Sequence, residues 1–144
     1  MNTLSVGQTY LIDAHFDKAI RLIRSALERQ ELSIAAELEV HGRGDSSRWK
    51  KAGLSRLLLV DSPLLLFEAL ALDKAAGVFL PLHVLVSSDG EQTHVSCVEL
   101  PDLFEVRVPA GSSRPLSVLR NRIAIALESI TSHAGGGPNP GGRL

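Results

Sequence analysis

The chain predicts an α+β domain of two layers, a mainly antiparallel sheet with helices packed on one face. Three observations predict it. Strand-like segments outnumber helical ones, and several are joined by tight turns. One stretch, Gly77 to Leu100 (GVFLPLHVLVSSDGEQTHVSCVEL), reads as a β-hairpin around which the other elements are arranged. Helical periods recur at three separated places, each flanked by strand patterns.

The elements follow in order. Leu4 to Ile12 reads as a first strand, with Leu4, Val6, Tyr10 and Ile12 in register. Asp13 is placed to cap the next helix, because its carboxylate can accept a first-turn N–H. Phe16, Ala19, Ile20, Ile23, Ala26 and Leu27 repeat at helical spacing to about Gln30. Leu32, Ile34, Ala36, Leu38 and Val40 then alternate with Ser33, Ala35, Glu37 and Glu39, which predicts a regular half-exposed strand.

His41 to Gly53 is a polar, basic, glycine- and serine-rich connection, with room for a short helix from Asp45 or Ser46 through Trp49 to Ala52. Arg56 to Val60 is an apolar third strand. Ser62 then caps a helix with Pro63 at its first position, where the missing N–H does no harm. Leu65, Leu66, Ala69 and Leu70 form the face it buries. After the hairpin, Leu103 to Val108 reads as an edge strand between Pro101 and Pro109. Leu116, Leu119, Ile123, Ala126, Leu127 and Ile130 mark a last amphipathic helix. Residues 1–133 are expected to form one domain, and 134–144 (AGGGPNPGGRL) a disordered tail with almost nothing apolar to dock.

The hairpin carries the candidate site. Asp89-Gly90 suits a two-residue turn, because glycine tolerates positive φ. That register sets Val84 against Val95 and Leu82 against Cys97. Leu80, Leu82, Val84, Val86, Val95 and Cys97 then share the core face. His83, Leu85, Ser87, Gln92, His94, Ser96 and Val98 share the other, with His83 and His94 as cross-strand diagonal neighbours.

Composition narrows the function classes. The 144 residues suit one domain, and a hydrophobic fraction of 44% can build a core without staples. A net charge of −1 gives no electrostatic reason to bind nucleic acid or anionic lipid. Cys97 is the only cysteine, so neither an internal disulfide nor a cysteine-rich metal site is possible. The N-terminal stretch lacks the basic and apolar regions of a signal peptide, and no apolar run approaches ~20 residues. A cytoplasmic protein without a membrane segment is the expectation.

The chain resembles a known family, the domain of unknown function 302 family, through short motifs over roughly residues 5 to 100. These are the helix from Phe16, the Ala36-Glu37-Leu38-Glu39-Val40 strand, Leu57 to Val60 running into Asp61-Ser62-Pro63, and Gly77-Val78-Phe79-Leu80-Pro81 before the hairpin. The resemblance implies a compact domain, often self-associating, with no settled activity. The family commonly has cysteine after the Leu-Pro pair, where this chain has Leu82.

Two readings of function follow. The first is a non-catalytic homodimeric small-ligand or protein-interaction module, with no cofactor, whose interface or pocket wall includes His83, Leu85, His94 and Ser96. Leu85 and Val98 make that face too apolar for a fully solvated surface. The second is an enzyme or a haem- or metal-binding protein using His83 and His94, since imidazole suits zinc, copper, nickel and haem iron. Ser87, Gln92 and Ser96 offer no good third ligand; His15 and His41 lie near strand ends. Cys97 is read as a structural thiol, because both histidines fall on the opposite face. Arg43, Arg48, Lys50, Lys51 and Arg56 around Trp49 are read as a solvated connection.

Overall fold

The computed structural model describes residues 7–40, 54–72, 74–75, 80–88, 90–98 and 113–131. Five strands and three helices occupy them: β1 Gly7–Ile12, α1 Phe16–Arg29, β2 Ser33–Glu39, β3 Leu54–Asp61, α2 Pro63–Leu72, β4 Leu82–Ser88, β5 Thr93–Val98 and α3 Ser113–Ile130. The strands form one sheet in the order β1-β5-β4-β3-β2, with every neighbouring pair antiparallel. The α+β reading stands. The expected short helix after Asp45, the edge strand Leu103 to Val108 and the tail lie outside the described residues.

One apolar cluster joins the sheet to the helices. Tyr10, Ile12, Leu58, Val60, Val84, Val86 and Val95 supply the sheet's share. From α1 come Phe16, Ala19, Ile20, Ile23, Ala26 and Leu27, all six residues read from the helical period. Leu116, Leu119, Ile123, Ala126 and Leu127 of α3 complete the layer. Because strand side chains alternate in direction, these residues line one face, and no described helix packs on the other.

Capping differs at the two helix starts. At α2 the Leu65 N–H donates to Ser62 Oγ at 3.3 Å, with Pro63 at the first helical position, as expected. At α1 the cap is His15, without a side-chain cap bond, rather than Asp13. The chain is held there by the hairpin instead. Thr93 Oγ1 donates to the Ala14 carbonyl at 2.8 Å, and His15 Nδ1 to the Gly90 carbonyl at 2.9 Å. Helix α2 is apolar apart from Glu68 but buries only Leu65 and Ala69; Leu70, expected inside, is exposed together with Leu64, Phe67 and Leu72.

Two registers correct the sequence reading. In the hairpin, Ser88 pairs with Thr93, Val86 with Val95 and Val84 with Cys97. The connection is therefore four residues, 89–92, not a two-residue turn. The Ser88 hydroxyl organises it, accepting the Gly90 N–H at 3.0 Å and donating to the Gln92 carbonyl at 3.3 Å. Gly90 takes φ +118, which its missing Cβ permits. In β2 the regular alternation breaks. Ile34 pairs with Val60 but Ala36 with Leu59, so Ala35 is an extra, bulged residue.

Candidate functional site

The bulge at Ala35 decides what the open face of the sheet, on which no described helix packs, looks like. One added residue reverses the face of every residue after it. Glu37 then pairs with Leu58 and Glu39 with Arg56, on the helix side, while Leu38 pairs with Leu57 on the open side. Continuous alternation placed Leu38 inside and the glutamates outside; the structure does the opposite. Leu38 is 53% and Val40 50% exposed.

The inward glutamates are matched by arginines. Arg24 of α1 reaches Glu37 Oε2 at 2.9 Å. Arg56 of β3 bridges Glu37 at 3.4 Å and Glu39 at 3.0 Å. The Arg56 guanidinium also sits 5.2 Å from the centre of the Phe16 ring, within cation–π range. Arg56 thus belongs to the sheet, as the third strand read from Arg56 to Val60 implied, rather than to the basic connection with which it was also grouped; Arg43, Arg48, Lys50 and Lys51 lie outside the described residues. Each exposed pair contributes on the order of 0–1 kcal/mol, so the ladder tolerates the inward glutamates more than it drives the fold.

On the open side, Leu38, Leu57 and Leu85 lie side by side across β2, β3 and β4. Leu59 and Ala36 pair in the same strands. Leu85 is 38% exposed, and Leu57 and Leu59 are half-buried. Polar pairs share the face: toward β1, Thr9 Oγ1 lies 3.4 Å from Ser96 Oγ, and between β3 and β4 Ser55 Oγ donates to Ser87 Oγ at 3.3 Å. Among the described strand residues this face bears no Lys, Arg or Glu. Leu38, Leu57 and Leu59 were not singled out from sequence. No signal in the chain marks them; the pairing of β2 with β3 across the bulge reveals them.

The four expected site residues, His83, Leu85, His94 and Ser96, share this open face, as the alternation of β4 and β5 implied. The two histidines do not meet. His94 pairs with Ser87 of β4 and Leu11 of β1, four residues along from His83, which pairs with Leu59. At ~3.3 Å per residue that is roughly 13 Å along the strand, too far for one ion. The diagonal contact expected of His83 and His94 is therefore corrected, and with it their use as joint metal ligands. Among the described residues no three of His, Cys, Asp and Glu gather where they could hold a metal ion. His15 is engaged at the Gly90 carbonyl, and His41 lies outside the described residues. Cys97 keeps to the core side, half-buried, paired with Val84 rather than Leu82.

Asp61 closes one corner of the site. It ends β3 opposite Ser33, whose hydroxyl donates to the Asp61 carbonyl at 3.3 Å. The residue is only 6% exposed, and burial raises its carboxyl pKa above the ordinary value. A 2.7 Å hydrogen bond from the Ser62 N–H to Oδ1 works the other way without cancelling the effect. Sequence reading treated Asp61 only as part of a turn before Pro63, because burial at a sheet corner has no signature in the chain.

Comparison with known proteins agrees with this architecture. The family model described as domain of unknown function DUF302 matches residues 8–130. A crystal structure of an uncharacterised conserved DUF302 protein from Bacillus stearothermophilus superposes with a TM-score of 0.69 at 16% identity. The alignment covers 88% of this chain and 99% of that one, a likeness of fold. No curated protein matches the chain. No helix among the described residues is long and apolar enough to cross a membrane.

Proposed function

The chain belongs to the DUF302 family, and we propose that it works as a non-catalytic homodimeric module whose open sheet face is its association surface. Residues His83, Leu85, His94 and Ser96 lie in that surface or line a small-ligand pocket beside it. One observation carries the reading: β2 turns Leu38 and Val40 outward while Glu37 and Glu39 point toward the helices. Scattered exposed leucines are ordinary, but a contiguous uncharged patch across three strands is a surface that gains from being covered.

A second copy is the cover on this reading. An uncharged apolar face is also complementary to itself, as a two-fold contact requires. The test is sedimentation of the wild type and Leu85→Lys at pH 8. A wild-type dimer and a monomeric variant are expected. A monomeric wild type removes the homodimer, and a dimer indifferent to Leu85→Lys removes the open face as its interface.

A further inference from the structure

We propose that the outer edge of β2 is closed to strand addition, so that the sheet does not extend from that side by pairing with a second copy of this chain. This holds whether or not the open faces associate. Among the described residues β2 ends the sheet, and all of its residues except Ile34 are exposed. Such an edge offers its backbone groups to any extended chain, and native proteins block it with bulges or with charges turned inward. β2 carries both, on different halves of the strand.

Charge blocks the half after the bulge. The Val40 N–H donates to the Ser55 carbonyl at 3.0 Å, toward β3. Backbone groups of an antiparallel strand alternate in direction, so those of Leu38 also face β3 and those of Glu37 and Glu39 face outward. A second β2 pairing there about a two-fold axis at Leu38 sets Glu37 of each copy opposite Glu39 of the other. An axis at residue 37 or 39 sets that glutamate opposite its own counterpart. Like charges directly opposite one another destabilise a strand pair. Arg24 and Arg56 reach these carboxylates from α1 and β3, the inner side of β2, so the ion pairs fix the glutamates without either arginine lying at the outer edge. Shape blocks the half before. Ala35 is the extra residue between Ile34 and Ala36. It bends the strand and breaks the even spacing of its outward groups, so a regular strand cannot bond continuously along it.

The experiment follows the size of the full chain by sedimentation at pH 8 for wild type, for Glu37→Gln/Glu39→Gln, and for that double variant with Ala35 also deleted. Lifting the repulsion should tighten edge association by up to about fivefold for each opposed pair. The variant lacking both obstacles should form larger species than wild type at the same concentration, with its residue 37 amide slow to exchange in them. In wild type the Glu37 amide should exchange faster than that of Leu38, which bonds to β3. A wild-type Glu37 amide as slow as that of Leu38 means an edge already paired and overturns the proposal. So does a variant lacking both obstacles that is folded by circular dichroism yet stays at wild-type size. If the deletion unfolds the chain, the double variant decides: larger species with a slowed residue 37 amide support the proposal, and wild-type size at every concentration overturns it.

Discussion

The two faces of the sheet are built from the same strands but treat charge and oil in opposite ways. On the helix side, Glu37 and Glu39 meet Arg24 and Arg56 at the margin of an apolar core. On the open side, leucines stand in a row with serines, threonine and two imidazoles, and nothing in the chain's described residues covers them. For a sheet facing only water the outward positions would carry the glutamates. β2 and the residue after it show the reversal most clearly: Leu38 and Val40 are left half exposed, while Glu37 and Glu39, themselves exposed, take up ion pairs on the other side. On the proposed function, the difference teaches that the open side serves contact rather than solvent.

Substituting each face with the same charge breaks the comparison most sharply. Val84→Asp puts a carboxylate among Leu58, Val86 and Val95, at a position 1% exposed, and should abolish soluble expression, since an unpaired buried charge costs several kcal/mol. His83→Asp, one residue earlier and on the exposed side, should give a folded protein. Circular dichroism and melting of the two variants check this; equal behaviour would mean that the faces are wrongly assigned.

A smaller effect is expected at the corner where the two faces meet. Asp61 titrates higher in the folded chain than in the unfolded one, because it is buried. Its protonated form favours folding, so its contribution is full below the unfolded carboxylate pKa of about 3.9 and is lost as pH rises through the raised folded value. Asp61→Asn removes the titration while keeping an oxygen for the Ser62 N–H. The variant should gain stability relative to wild type as pH rises from 4 toward 7. Denaturant midpoints across that range test it; a constant difference would show that Asp61 does not titrate differently on folding.

The smallest expected effect comes from an operation that usually ruins a strand. Deleting Ala35 removes the bulged residue and leaves Ile34 opposite Val60, Ala36 opposite Leu59 and Glu37 opposite Leu58. The faces downstream are unchanged, so the deletion should cost no more than about 1 kcal/mol and leave the Glu37–Arg56 pair intact. Loss of most of the stability in a thermal melt would mean that Ala35 is not the residue that absorbs the shift.

Those registers explain what was legible in the sequence. The core residues of α1 and α3 were read correctly because a helix of fixed period has no way to slip one position. The hairpin faces were also right, although its register was wrong. The true pairing differs by two residues, and an even shift keeps every side chain on its face. What an even shift does move is the diagonal, which is why His83 and His94 came apart while Val84, Val86 and Val95 stayed inside. In β2 the shift is odd, and it exchanged Leu38 for the glutamates. A bulge at a small residue such as Ala35 leaves no pattern in the chain; only its partners across the sheet reveal it.

Methyl NMR with a soluble paramagnetic probe tests most directly whether the open face is covered in solution. The leucine methyls would be followed over a dilution series that crosses the dissociation constant. At high concentration the methyls of Leu38, Leu57 and Leu85 should be shielded from the probe, while Leu64, exposed on α2, stays accessible; on dilution the three should become accessible together. Methyls of Leu38, Leu57 and Leu85 as open to the probe as Leu64 at every concentration would contradict the account.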